Sequence, residues 1–157
     1  MSRFALSNGS AGTQQILTTT YKTQWDLTAA TGATTLRRVM VYDVLFGADG
    51  TPNDNVITVK VDRQTTTGTR TSATPVPLDQ NDAAALITAG VNTTVEPTVT
   101  ASTQLIEEAI NQRAAFRWVA QQDGELVVPA VNTAGLGGRC KSPAYILTMT
   151  ANVHFIE

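Results

Sequence analysis

The side chains able to do chemistry are few and scattered. The sequence holds one His and one Cys among 157 residues. His154 falls on the polar face of a closing strand. Nucleophilic catalysis would need it beside a hydroxyl or thiol and oriented by a third group, and no Gly-x-Ser-x-Gly turn presents a serine. One imidazole is also fewer than the common catalytic zinc sites use. Cys140 stands between Arg139 and Lys141, cations that favour a thiolate, in a Gly-rich stretch that reads as a loop without a redox partner.

The remaining motifs read as structure. Gly135-Leu136-Gly137-Gly138-Arg139 has the glycines of a phosphate loop but not its Gly-Lys-Ser/Thr ending, so the glycines are expected to serve positive φ angles in a long turn. Asp49, Asn53, Asp54 and Asn55 crowd oxygen donors into one turn. They lack EF-hand spacing and its closing Glu, and Asx-type turn bonds account for them. Glu107 and Glu108 are adjacent, so they diverge on a strand or a helix and do not make a shared glycosidase pair. Arg37-Arg38 and Arg113 with Arg117 are the only basic concentrations. On a strand, Arg113, Ala115 and Arg117 share one face and Phe116 and Trp118 the other. Such a row suits stacking on a single-stranded nucleic acid or a protein contact, and the net acidic charge favours the contact. No catalytic, cofactor-binding or metal-ligating residue is assigned, and no cofactor is expected.

These residues must be positioned by a chain that reads as β throughout. Charged residues are 15% of the sequence, against roughly 25% in ordinary soluble domains. Hydrophobic residues are 42% and Thr alone numbers 26. Thr and Val are stiff at Cβ and suit a pleated surface. The 11 basic and 13 acidic residues give a net charge of −2 with no block for binding a polyanion. A single Cys excludes an intrachain disulfide. No apolar run approaches ~18 residues, and MSRFALSNGS lacks the apolar core of a signal peptide.

The clearest element is the last. Tyr145, Leu147, Met149, Ala151, Val153 and Phe155 alternate with polar residues, which gives a half-buried strand with those six inward. Strands are also expected over 15–27, 36–46, 56–61, 113–120 and 125–128. The segment 36–46 is apolar enough for a central position. Residues 47–55 read as a hairpin-type connection. Asp79–Ile87 opens with capping residues and reads as a short helix; over Thr103–Ile110 a short helix competes with a strand. Eight to ten strands with one or two short helices predict an all-β antiparallel sandwich or barrel of jelly-roll type. A single domain over 1–157 is expected, with 1–12 as a flexible N-terminal arm.

From Thr65 onward the order of segments carries a resemblance. Thr65-Thr66-Thr67-Gly68-Thr69 leads to Pro75-Val76-Pro77-Leu78-Asp79, then Asp82-Ala83-Ala84-Ala85 and Val91-Asn92-Thr93-Thr94. Pro97-Thr98-Val99-Thr100, Gln112-Arg113, Phe116-Arg117-Trp118, the Pro129–Cys140 stretch and the ending Val153-His154-Phe155-Ile156-Glu157 follow. This order, about three-fifths of the chain, resembles small structural proteins of tailed bacteriophages. The resemblance implies a capsid decoration (cement) protein, a non-enzymatic homotrimer on the outer surface of the virion. Its partner would be the assembled shell of the major capsid protein, with no nucleic acid and no membrane. Contacts are expected from Met1–Gly12, Thr65–Pro77 and Pro129–Ser142, with deletion of residues 2–10 leaving the fold intact. Two other classes stand beside it: a carbohydrate-binding jelly-roll adhesin that stacks sugars on Trp25, Tyr42 or Trp118, and a hydrolase with an unrecognised site.

Overall fold

The computed structural model describes residues 1–29, 36–143 and 147–157. Twelve strands lie among the described residues: β1 (Arg3–Ser7), β2 (Lys22–Thr28), β3 (Val39–Asp49), β4 (Val56–Gln64), β5 (Thr69–Ser72), β6 (Val76–Pro77), β7 (Thr88–Val95), β8 (Val99–Asn111), β9 (Ala115–Val119), β10 (Leu126–Val128), β11 (Gly135–Lys141) and β12 (Thr148–Ile156). They form two antiparallel six-stranded sheets. Sheet I runs β10-β3-β12-β1-β6, with β9 also on β3; sheet II runs β5-β7-β2-β11-β4-β8. One core joins them, with Trp25, Leu27, Val59, Val61 and Leu136 from sheet II meeting Phe4, Leu6, Val44, Phe46, Met149, Val153 and Phe155 from sheet I. The architecture is an all-β sandwich.

No two strands consecutive in sequence pair with each other among the described residues. The turn-rich residues after Phe46 therefore do not close a hairpin. β3 extends to Asp49, and residues 50–55 carry the chain from sheet I to β4 in sheet II. Turn propensity marks where a chain bends but not which strand it meets next.

The closing strand has the expected phase. Leu147, Met149, Ala151, Val153 and Phe155 are buried while Thr148, Asn152 and His154 are half-exposed. Tyr145 lies outside the described residues. Leu147→Ala is expected to cost about 2–5 kcal/mol as a core truncation and Thr148→Ala under about 1. Thermal melts of the two variants check this, and equal losses would mean the phase is reversed. β3 takes the central position expected of 36–46, between β12 on one side and β9 and β10 on the other.

Other expectations are corrected. No helix forms in the described residues. Over 79–87, Asn81 N–H donates to Asp79 Oδ1, and the Leu86 and Ile87 N–H groups donate to the Glu157 carboxylate. Capping residues here make an Asx turn, and the later donors are taken by the chain's last side chain. Thr103–Ile110 is part of β8, where Ile106 and Ile110, spaced for either structure, face the core side opposite Val61 and Ile57. Residues 15–21 precede β2 rather than belong to it.

Within the expected N-terminal arm, Arg3–Ser7 form a strand. β1 pairs with β12 from Arg3↔Ile156 to Ser7↔Asn152, and Phe4 stacks on Phe155 with ring centroids 5.5 Å apart. The Thr65–Pro77 stretch contains β5 and β6, and Pro129–Ser142 contains β11. Neither is a free loop along its length.

Candidate functional site

The glycines of β11 serve close approach, not turning. None of Gly135, Gly137 or Gly138 has a positive φ. Gly138 faces the core opposite Trp25, where an added Cβ would overlap the indole. Gly135 and Gly137 face outward, where an added Cβ would press on the Gln64 amide. Cys140 follows on the core side, fully buried, and burial pushes its thiol well above the usual range. Arg139 and Lys141 point to the opposite face, so they do not activate it.

That opposite face, the outside of sheet II, is a field of paired charges. Asp62 is held by Lys60 (3.5 Å) and Arg139 (3.3 Å), and Arg139 also reaches Glu96 at 3.7 Å. Glu96 accepts from the Thr23 N–H and hydroxyl. Arg70 lies over Gly90 and pairs with the buried Asp26; burial pulls its pKa down to about 10, which leaves it cationic at neutral pH. Tyr21 sits among Lys60, Arg139 and Lys141, 4.7–5.4 Å from its ring centroid, and donates to Glu107 at 2.9 Å. Burial first, then Glu107, raises its phenol far above the ordinary value. Glu107 is thus a structural partner, and Glu108 points to the core-side face.

Outside sheet I the chemistry is sparser. A β-bulge leaves Tyr42 as the extra residue between the pairs His154↔Asp43 and Phe155↔Val41. Asp43 accordingly faces outward, where Arg117 grips it with two hydrogen bonds (Nε to Oδ1 3.0 Å, Nη2 to Oδ2 2.8 Å) and His154 Nδ1 lies 3.2 Å from Oδ2. Burial acts to raise the Asp43 pKa, but the bonds from Arg117 and His154 outweigh it and hold the carboxyl below its usual value. A depressed carboxylate contributes stability above its unfolded pKa of about 3.9 and loses it as pH falls through the folded value. Wild type should therefore exceed Arg117→Ala in melting temperature at pH 7, with the gap closing below about pH 3.9. A constant gap in pH-resolved melts would show that the carboxylate is not the reason.

The expected features fall in different places. His154 and Arg117 meet at Asp43, while Cys140 lies in the core. Arg37 pairs with Glu157 at 3.6 Å. The Asp/Asn turn is tied to 111–113: Asn53 N–H donates to Gln112 Oε1 at 2.9 Å and Arg113 meets Asp54 at 3.0 Å. No group of three or more His, Cys, Asp or Glu side chains converges for a metal among the described residues. Phe116 and Trp118 pack toward the core while Ala115 and Arg117 face out, as alternation requires. Trp25 is wholly buried and offers no stacking platform; Tyr42 lies under the Arg3 guanidinium.

Sequence reading missed a buried amide cluster. The Asn8 amide donates to Gln24 Oε1 (3.1 Å) and Met149 O (2.6 Å), and its Oδ1 accepts from Ala151 N–H (2.9 Å). Asn92 donates to the Asn8 and Ala11 carbonyls, both at 2.7 Å. Gln24 reaches this cluster because it is the extra residue of a bulge against Gly138/Arg139.

Two open grooves flank Asn152 on the sheet I face. One, of about 290 Å3, is lined by Leu45, Gly47, Ala115, Phe116, Arg117 and Thr150. The other, of about 120 Å3, is lined by Ala5, Ser7, Thr74 and Val76. Their walls are mostly apolar, with Arg117 the one charged side chain among them and no nucleophile held against a base. No protein-family model matches the chain, and no curated protein matches it.

Proposed function

We propose that the protein is a capsid decoration protein, a homotrimeric, jelly-roll-type sandwich that binds the outside of an assembled phage head and stabilises it. The observation that carries this reading is the order of segments from Thr65 to Glu157, which resembles that of small virion structural proteins. The surface is of the kind such a role uses. Its polar clusters are engaged in holding the sandwich together, and its grooves are shallow and mostly apolar rather than lined for catalysis. A shell repeats one contact many times, so a trimer that touches several coat subunits gains effective concentration after its first contact. Binding should be far tighter to assembled shells than to free coat subunits. Co-sedimentation with each, at equal coat concentration, tests this; equal binding, or none, would refute it.

A further inference from the structure

We infer that the Asn8-Gly9 peptide unit is a deamidation site that folding holds shut, and that its reaction bars the chain from folding again.

Asn8-Gly9 is the only Asn-Gly pair in the sequence. Where glycine follows asparagine, no side chain shields the next backbone nitrogen. That nitrogen attacks the asparagine Cγ; a new C–N bond forms, and the bond to the side-chain nitrogen breaks with release of ammonia. Water then opens the five-membered imide at either carbonyl. The products are aspartate and isoaspartate, whose main chain runs through the former side chain. Water is the only co-reactant.

In the folded chain both reacting groups are occupied. Asn8 is wholly buried. Its Nδ2 donates to Gln24 Oε1 and Met149 O and its Oδ1 accepts from the Ala151 N–H, so the amide is fixed at both ends. The attacking nitrogen is engaged too, since the Gly9 N–H donates to Ser7 Oγ at 3.3 Å. Freeing the amide means lifting β1 from β12 and taking Phe4 and Leu6 out of the core. That opening costs nearly as much as unfolding the sandwich.

The product does not fit the site. A carboxylate oxygen in place of Nδ2 sets an acceptor, not a donor, 2.6 Å from the Met149 carbonyl. Isoaspartate lengthens the main chain between the Asn8 N–H, which meets Ala151 O, and the Asn8 carbonyl, which meets the Asn92 amide. One of those two bonds must then be given up. The glycine itself is not demanded by the fold. Gly9 has no positive φ, and an added Cβ would meet only the Ser7 hydroxyl at 3.7 Å. Reactivity and structure are therefore separable at this position. Unfolding becomes irreversible with time through chemistry rather than aggregation.

The test incubates wild type and Gly9→Ala at neutral pH, each folded and in urea, and maps the N-terminal peptide by mass. In urea, Asn8 of wild type should gain the mass difference between NH2 and OH. Folded wild type should do so at least about a thousandfold more slowly, because only the unfolded fraction reacts. On dilution from urea, the wild-type fraction that refolds, read by circular dichroism, should fall in step with deamidation. Gly9→Ala should deamidate more slowly and still refold after the same exposure. Asp49-Gly50 and Asp123-Gly124 close to the same ring with loss of water, but their isomerisation leaves the mass unchanged and both proteins carry them. Asn8→Asp supplies one product directly and should show no wild-type melt. Equal Asn8 rates in folded and unfolded wild type would overturn the inference. So would deamidated chains that refold to the wild-type melting temperature, or a Gly9→Ala protein that loses refolding as fast as wild type.

Discussion

A chain lacking residues 2–10 should fail to fold. Phe4 and Leu6 are about 2% exposed in the shared core, and burying side chains of this size contributes about 1.5–3 kcal/mol each. The same deletion removes the β1 ladder to β12 and the Asn8 amide, leaving the buried Ala151 N–H without its acceptor and the Met149 carbonyl with only the longer bond from Gln14. An unsatisfied buried group costs about 1–3 kcal/mol. The sum matches the whole stability of an ordinary domain, about 5–15 kcal/mol. Circular dichroism should show no cooperative melt. A truncated chain that melts within a few degrees of wild type would mean that β1 is the dispensable arm its polar start suggests.

The second large effect comes from one methyl group. Gly138→Ala places a Cβ inside the indole of Trp25, a ring that is wholly buried and cannot swing aside. Overpacking usually costs 1–3 kcal/mol and more where nothing can relax. We expect at least ~3 kcal/mol here, a drop of roughly 10 °C in Tm at this chain length. Gly9→Ala, with only the Ser7 hydroxyl nearby at 3.7 Å, should stay within about 0.5 kcal/mol. Similar melting temperatures for both variants would refute the packing described for β11.

What was legible in the sequence follows from how each segment is buried. Leu147 to Phe155 alternates because one face meets the core and the other does not, and period 2 survives in the residue order. β4 was legible for the same reason. β11 was not, because its outer positions are covered by Gln64 and its inner one by Trp25. Glycine then records a neighbour's side chain rather than a turn. β1 was hidden by brevity, with Phe4 and Leu6 its only apolar marks before Asn8-Gly9. The site clusters were harder still. Asp43 faces His154 and Arg117 through a bulge at Tyr42, and Gln24 reaches Asn8 through another; an extra residue in one strand shows only against its partner. The pairing of Asp26 with Arg70 spans two strands that are neither consecutive nor paired. The polar alternation around Asp26 was visible, but its burial was not.

The central claim is that this sandwich cements a phage shell. The most direct measurement takes shells stripped of the protein, adds it back in purified form, and follows their rupture on heating. Restored protein should co-sediment with the shells and raise their rupture temperature, and the increase should saturate once the lattice sites are filled. Shells that rupture at the same temperature with and without it, and pellet without it, would contradict the account.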